Sequence, residues 1–300
     1  MKRIVLLMVF VISLIALGVY VIHEKKNNPS KPSLEGLFTL FGKPIKAIDR
    51  SITKTLHVTN KEEAEYGRSI STYYEKNSSN FLKEQQYLQK LVDEMAKQSN
   101  PKNLTWKVFI YDGPANAYAL PGGVIVVFTG LFEVVQNEAE LVSILAHEKG
   151  HVDLGHCMDG FRLAIKGKNM PLNGLLNLIT QGLWHLSFSK YQEKEADDYA
   201  FNMLRALGYD PFSLSKAFIN LKKWSEKHYK MKNDPRGIGA YFTTHPALDV
   251  RIENAQEKAK RISSSINVQK AYQGRANLQN RITKEEHHYE DEEGSSHKED

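Results

Sequence analysis

His147-Glu148-Lys149-Gly150-His151 sets two imidazoles four residues apart, with a carboxylate beside the first. In a helix, four residues turn through about 400°, so both imidazoles leave the same face one turn apart and can grip one metal ion. Glu148 lies about 100° further round than His147, too displaced to share the metal equally but able to reach a water held there. Zinc at such a site lowers the pKa of its water to about 7, and a neighbouring carboxylate can take the proton as that water attacks a peptide carbonyl. The spacing therefore predicts hydrolysis without a covalent intermediate, with Glu148 as the general base.

A catalytic zinc normally has three protein ligands, so a third must come from elsewhere. A glycine and a histidine three and six residues after His151 would continue the pattern, but Leu154 and Cys157 stand there. Further along, Gln192-Glu193-Lys194-Glu195-Ala196-Asp197-Asp198 reads as helix, which puts Glu193 and Asp197 on one face a turn apart and Glu195 elsewhere. Five residues past His151, His156 falls about 140° round the helix, the place of a core or supporting histidine rather than a ligand to the same metal. Cys157 is the only cysteine, so neither a disulfide nor a cysteine zinc cluster can form within the chain.

Together, His-Glu-x-x-His and Glu193-x-x-x-Asp197 resemble the membrane-associated metallopeptidase family that includes HtpX, BepA and the CAAX prenyl proteases, in its single-anchor, BepA-like or Oma-like form. The resemblance covers about residues 60–262. It implies one zinc ion per subunit with Glu193 as the third ligand beside His147 and His151, and Asp197 as the carboxylate that accepts a ligand histidine's N–H. Asn116-Ala117-Tyr118-Ala119-Leu120-Pro121-Gly122-Gly123 is similar to the family's strand and hairpin ahead of the zinc helix, where Asn116, Ala117 and Tyr118 would pair with an extended substrate. Thr244-His245-Pro246 followed by Arg251-Ile252 resembles a late family motif, placing His245 where it would assist the oxyanion, block the water site or merely cap a helix. One departure is Ser189-Lys190, where the family commonly has Ser-Arg; no ligand is lost by it.

The elements that must position these residues follow from periodicity. Residues 62–97 read as two helices broken near Asn77-Ser78-Ser79-Asn80, and residues 106–128 as strands with a Pro121-Gly122-Gly123 turn. Asn137 with Glu140 marks the start of a helix over 138–156. Further helices are expected near 172–186, 190–207, 211–229 and 246–263, Gly208 closing the second of these and Asp210-Pro211 opening the third. The fold class expected is α+β, mainly α: a zincin-like metallopeptidase domain with a small β-sheet and hairpin packed beside the zinc-binding helix.

The formal charge of +5 is the sum of −6 over residues 284–300 and +11 elsewhere. The lysines are scattered between apolar positions rather than gathered into a stripe, which argues against nucleic-acid binding. Lys2 and Arg3 precede a weakly polar run of nineteen residues, Ile4 to Ile22, nearly long enough to span a bilayer core. The expected organisation is a membrane anchor or uncleaved signal over 1–22, a tether over 23–59, a zinc metallopeptidase domain over 60–264 and a disordered acidic tail over 265–300. The function expected is endoproteolysis of membrane-associated or misfolded envelope polypeptides by a single-pass membrane protein whose catalytic domain faces away from the cytoplasm. The alternative is a latent zinc-binding chaperone or adaptor on the same fold. No oligomeric state is legible.

Overall fold

The structure is a computed structural model and describes residues 57–76, 81–162, 174, 188–229, 245, 248–263 and 271–292. The apolar run over 4–22 and the helix expected near 172–186 lie outside the described residues, Gly174 apart. Among the described residues no helix is long and apolar enough to cross a membrane.

Two helices, α1 (Asn60–Lys76) and α2 (Leu82–Gln98), lead into the strands β1 (Lys107–Tyr111), β2 (Ala117–Leu120) and β3 (Val124–Phe128). The sheet order is β1-β3-β2, with β1 parallel and β2 antiparallel to β3. β3 reads Val-Ile-Val-Val-Phe without polar alternation because both its faces are covered. Ile125 and Val127 face the larger core with Val108, Ile110, Ala117 and Ala119, whereas Val124 and Val126 face a second cluster with Ile70, Phe109, Met158 and Phe161. Helix α1 belongs to that second layer. It approaches the hairpin turn so closely that a Cβ on Gly67 would meet Gly122 O at 2.2 Å, and Gly122 itself takes a left-handed φ of +80°.

The short α3 (Leu131–Val134) is followed by α4 (Glu138–Asp153), buried from Glu138 to Val152. Asn137 caps it, its side chain accepting from Glu140 N at 2.9 Å, as the sequence anticipates. A helix buried on every side takes the centre of the fold, and each of its polar residues needs a partner. α4 ends three residues earlier than expected, because the left-handed Gly155 (φ +79°) breaks the chain before α5 (His156–Arg162). Against α4 packs α6 (Lys190–Ala206), opened by a reciprocal Ser189–Gln192 capping box. The two helices meet at Gly150, where a Cβ would lie 3.1 Å from the Tyr199 side chain. Helices α7 (Ser213–Tyr229) and α8 (Leu248–Ser263) complete that layer, and Gly208 ends α6 with a φ of +72° as expected.

Two boundaries are corrected. The tether expected to run to residue 59 ends earlier, since Val58 is buried and Thr59 caps α1 by exchanging hydrogen bonds with Glu62. The acidic tail is not disordered over 271–292. Tyr272 pairs with Tyr209 in a parallel bridge, α9 (Arg275–Asn280) follows, and Tyr272, Gln273, Asn277, Leu278 and Thr283 are buried. Gln273 O and Gly274 O accept from Ala139 N and Glu138 N, each at 3.0 Å, so this segment satisfies the open amides of the first turn of α4. Its acidic residues are tied down by Lys90 and Lys97 through Glu286 and Glu285.

Candidate metal centre

The face of α4 carrying His147 and His151 meets the face of α6 carrying Glu193, and His245 enters just ahead of α8. All four side chains are buried, and one donor atom from each lies within 4.8 Å of the others. His147 Nε2 and His151 Nε2 are 3.0 Å apart, while Glu193 Oε2 lies 3.5 Å from the first and Glu193 Oε1 lies 3.6 Å from the second. His245 Nδ1 stands 3.1 Å from Glu193 Oε1 and 3.3 Å from His147 Nε2. The structure therefore brings together the four residues that the sequence singles out from three separate stretches.

Asp197 accepts from His147 Nδ1 at 2.9 Å, the contact that the family resemblance implies for it. Arg251, whose motif the sequence flags without giving it a role, is the cation between Glu193 and Asp197 of α6. Its Nη2 and Nε donate to Asp197 at 2.6 and 2.8 Å, its Nη1 lies 2.7 Å from Glu193 Oε2, and its guanidinium covers Phe218 at 4.3 Å. Two carboxylates on one buried helix face demand such a counter-charge, the one signal in the sequence that could have found it. Phe188, also unanticipated, stacks on the His151 ring at 3.7 Å.

Glu148 is wholly buried, and neither carboxylate oxygen has a hydrogen-bond partner among the described residues, with His245 Nε2 3.5 Å from Oε1. Burial pushes its carboxyl above the usual range, against the pull of His245 and His147. Burial also opposes ionisation of Glu193 and Asp197, but His245 and Arg251 hold Glu193 low, and Arg251 with His147 holds Asp197 down at about 2. His151 is held well below the ordinary imidazole value by burial and by the neighbouring His147 and His245. For His245, burial acts in the same direction, yet Glu193 and Glu148 outweigh it and raise the ring's proton affinity.

Of the strand residues, Ala117 and Tyr118 lie in β2 and Asn116 just ahead of it. β2 is an edge strand that pairs only with β3 among the described residues. Asn116 O accepts from Phe128 N at 2.9 Å, so alternation turns the backbone of Ala117 and Ala119 away from β3. Ala119 O already accepts from Cys157 Sγ at 3.6 Å, and Tyr118 Oη meets Tyr74 Oη at 3.1 Å.

Residues 82–259 match the family described as Peptidase family M48. The chain belongs to that family. Among curated relatives, this M48 peptidase is 32% identical over 162 residues to the mitochondrial metalloendopeptidase OMA1 of Arabidopsis thaliana, covering 51% of its own length and 31% of the relative's. It is 28% identical over 182 residues to the metalloprotease LoiP of Escherichia coli, covering 56% and 68%. With the beta-barrel assembly-enhancing protease of Yersinia pestis it shares 27% identity over 199 residues, covering 59% and 39%. The M48 peptidase thus spans about a third of the OMA1 length and two thirds of LoiP.

The family is one of zinc metallopeptidases, and the donor set of this chain suits that ion. Zinc bonds of about 2.0–2.1 Å to nitrogen and oxygen place tetrahedral donors roughly 3.3 Å apart, and the closest approaches among His147, His151 and Glu193 run from 3.0 to 3.6 Å.

Proposed function

We propose that His147, His151 and Glu193 hold the zinc and that Glu148 is the general base of an endopeptidase acting on membrane-associated or misfolded envelope polypeptides. The observation that carries the base assignment is the Glu148 carboxylate, buried beside the donor set with no hydrogen-bond partner among the described residues. A buried carboxylate without a partner is costly and is kept where chemistry uses it. The chemistry zinc supplies when bound is acidification of water and polarisation of the scissile carbonyl. Glu148 takes the proton released as the water oxygen adds to the carbonyl carbon, then delivers it to the departing amine as the C–N bond breaks.

The outward-facing backbone of Ala117 supports binding of an extended chain by strand addition, and the family's edge-strand resemblance supports Asn116, Ala117 and Tyr118 as its landing site. Ile4 to Ile22 supports anchoring to a membrane with the catalytic domain outside the cytoplasm.

The test is cleavage of an unfolded, casein-type substrate by the full-length chain, with elemental analysis of bound zinc. One zinc per chain, lost in Glu193→Ala, with cleavage abolished by a chelator and restored by zinc, is expected; cleavage indifferent to the chelator would refute the proposal.

One observation favours a second reading, a latent enzyme or adaptor. His245 Nδ1 stands among the donors, at 3.3 Å from His147 Nε2 and 3.1 Å from Glu193 Oε1, in space that a water needs. In that case His245→Ala accelerates cleavage; if His245 assists the oxyanion, the same substitution slows it.

A further inference from the structure

The two α4 histidines of the donor set lean on different supports. His147 reaches a carboxylate directly, through Asp197 at 2.9 Å. His151 instead turns its Nδ1 to another ring: His156 Nδ1 is 2.9 Å away, and His156 Nε2 lies 3.1 Å from Glu195 Oε2. Both imidazoles of this chain are buried, whereas the Glu195 side chain is 29% exposed.

The break at Gly155 makes this possible. A continuous helix would carry His156 about 140° away from His151; the left-handed turn at φ +79° starts α5 afresh and brings His156 back to the edge of the His151 ring. Phe188, stacked on His151 at 3.7 Å, holds that ring in plane.

The two ends of the chain set the proton positions within it. An ionised carboxylate only accepts, so His156 carries its proton on Nε2 and donates it to Glu195. In the neutral ring Nδ1 of His156 is then an acceptor, which requires the proton of His151 on Nδ1. The lone pair of His151 is left on Nε2, the nitrogen facing His147 Nε2 at 3.0 Å.

We infer that Glu195, acting through His156, is a positioning residue for His151, fixing the tautomer and ring orientation that present Nε2 to the metal. The inference rests on the reading of His147, His151 and Glu193 as zinc ligands. On it, α6 supplies a metal carboxylate at Glu193 and the outer carboxylate of both imidazoles, Asp197 directly and Glu195 through a ring.

The experiment is zinc affinity of the full-length chain by competition with a chromophoric chelator, alongside thermal melting of the metal-free protein. Outer partners of metal-bound histidines are worth about 10- to 100-fold in affinity. Glu195→Ala is expected to weaken zinc binding about tenfold or more without moving the metal-free melting temperature. Glu195→Gln, which keeps an oxygen acceptor, should recover most of that loss. His156→Asn should weaken binding as well, and Glu195→Ala should add less than about twofold in that background, because Glu195 reaches the metal only through His156. Wild-type affinity in Glu195→Ala, or an undiminished effect of that substitution on top of His156→Asn, would overturn the inference. Glu193→Ala is the separate control: zinc affinity unchanged there would overturn the ligand reading and the inference with it, whereas affinity lost in Glu193→Ala but kept in Glu195→Ala overturns the inference alone.

Discussion

The two ends of α4 both bury a glutamate, and they treat it in opposite ways. At the first turn, Glu138 accepts from Tyr209 Oη at 2.6 Å, Tyr87 Oη at 2.8 Å and Lys284 N at 3.0 Å. Nearly three turns on, Glu148 is as deeply buried and accepts from none of the described residues. The same residue type in the same helix has its lone pairs filled at Glu138 and left open at Glu148, which is why the base role is proposed for the second and not the first. Burial therefore does not distinguish the two carboxylates; hydrogen-bond satisfaction does.

Glu148→Gln tests the open end and carries the largest expected effect. Proteolysis should fall by about 10³-fold, the middle of the range for loss of a positioned base, while bound zinc and melting temperature stay at or above wild type. Substantial residual cleavage by a zinc-loaded Glu148→Gln protein would dissolve the contrast at once. Glu138→Ala inverts the pattern. It strands two phenol hydroxyls and an amide in the interior, so urea unfolding should report a loss of about 3 kcal/mol, with cleavage per folded molecule unchanged. A catalytic defect that persists at full folding would show that the first turn does more than hold the helix.

The smallest of the three effects is a pH dependence. Burial pushes the Glu138 carboxyl up to about 7, outweighing the donors from Tyr209, Tyr87 and Lys284. An unfolded glutamate titrates near about 4.3, so the folded state holds this proton more tightly. The resulting stabilisation is complete below about pH 4.3 and is lost as pH rises through about 7, at a slope of at most about 1.4 kcal/mol per pH unit. Glu138→Gln should flatten that part of the urea-midpoint profile between pH 5 and 7. An unaltered slope would mean that Glu138 is ionised throughout and that the donors win.

Much of this was legible in the residues themselves. β-Branched and aromatic composition with the Pro121-Gly122-Gly123 turn located the strands, Asn137 and Gly208 located helix ends, and the four-residue rule put His147 with His151 and Glu193 with Asp197. What stayed hidden shares one physical feature: it depends on contacts between segments with no common period. Arg251 serves Asp197 across 54 residues of chain. His156 read as a core or supporting histidine, but its direct contact with His151 was hidden because helical geometry was extended through Gly155, and Glu195 was set aside because its partner sits on another helix. The segment over 271–292 has the composition of a solvated tail, since its attachment relies on backbone carbonyls and a few aromatic rings rather than an apolar stripe.

That attachment also sets an order of events in synthesis. The chain leaves the ribosome N-terminus first, and Lys284, whose amide helps fill the Glu138 carboxylate, is made 146 residues after it. Until Gln273 and Gly274 emerge, the first amides of α4 lack their acceptors, and the helix that carries His147, Glu148 and His151 has an unfinished start. A nascent chain that already contains the candidate metal residues thus still lacks the acceptors that close the first turn of the helix carrying them, and these are translated long after it.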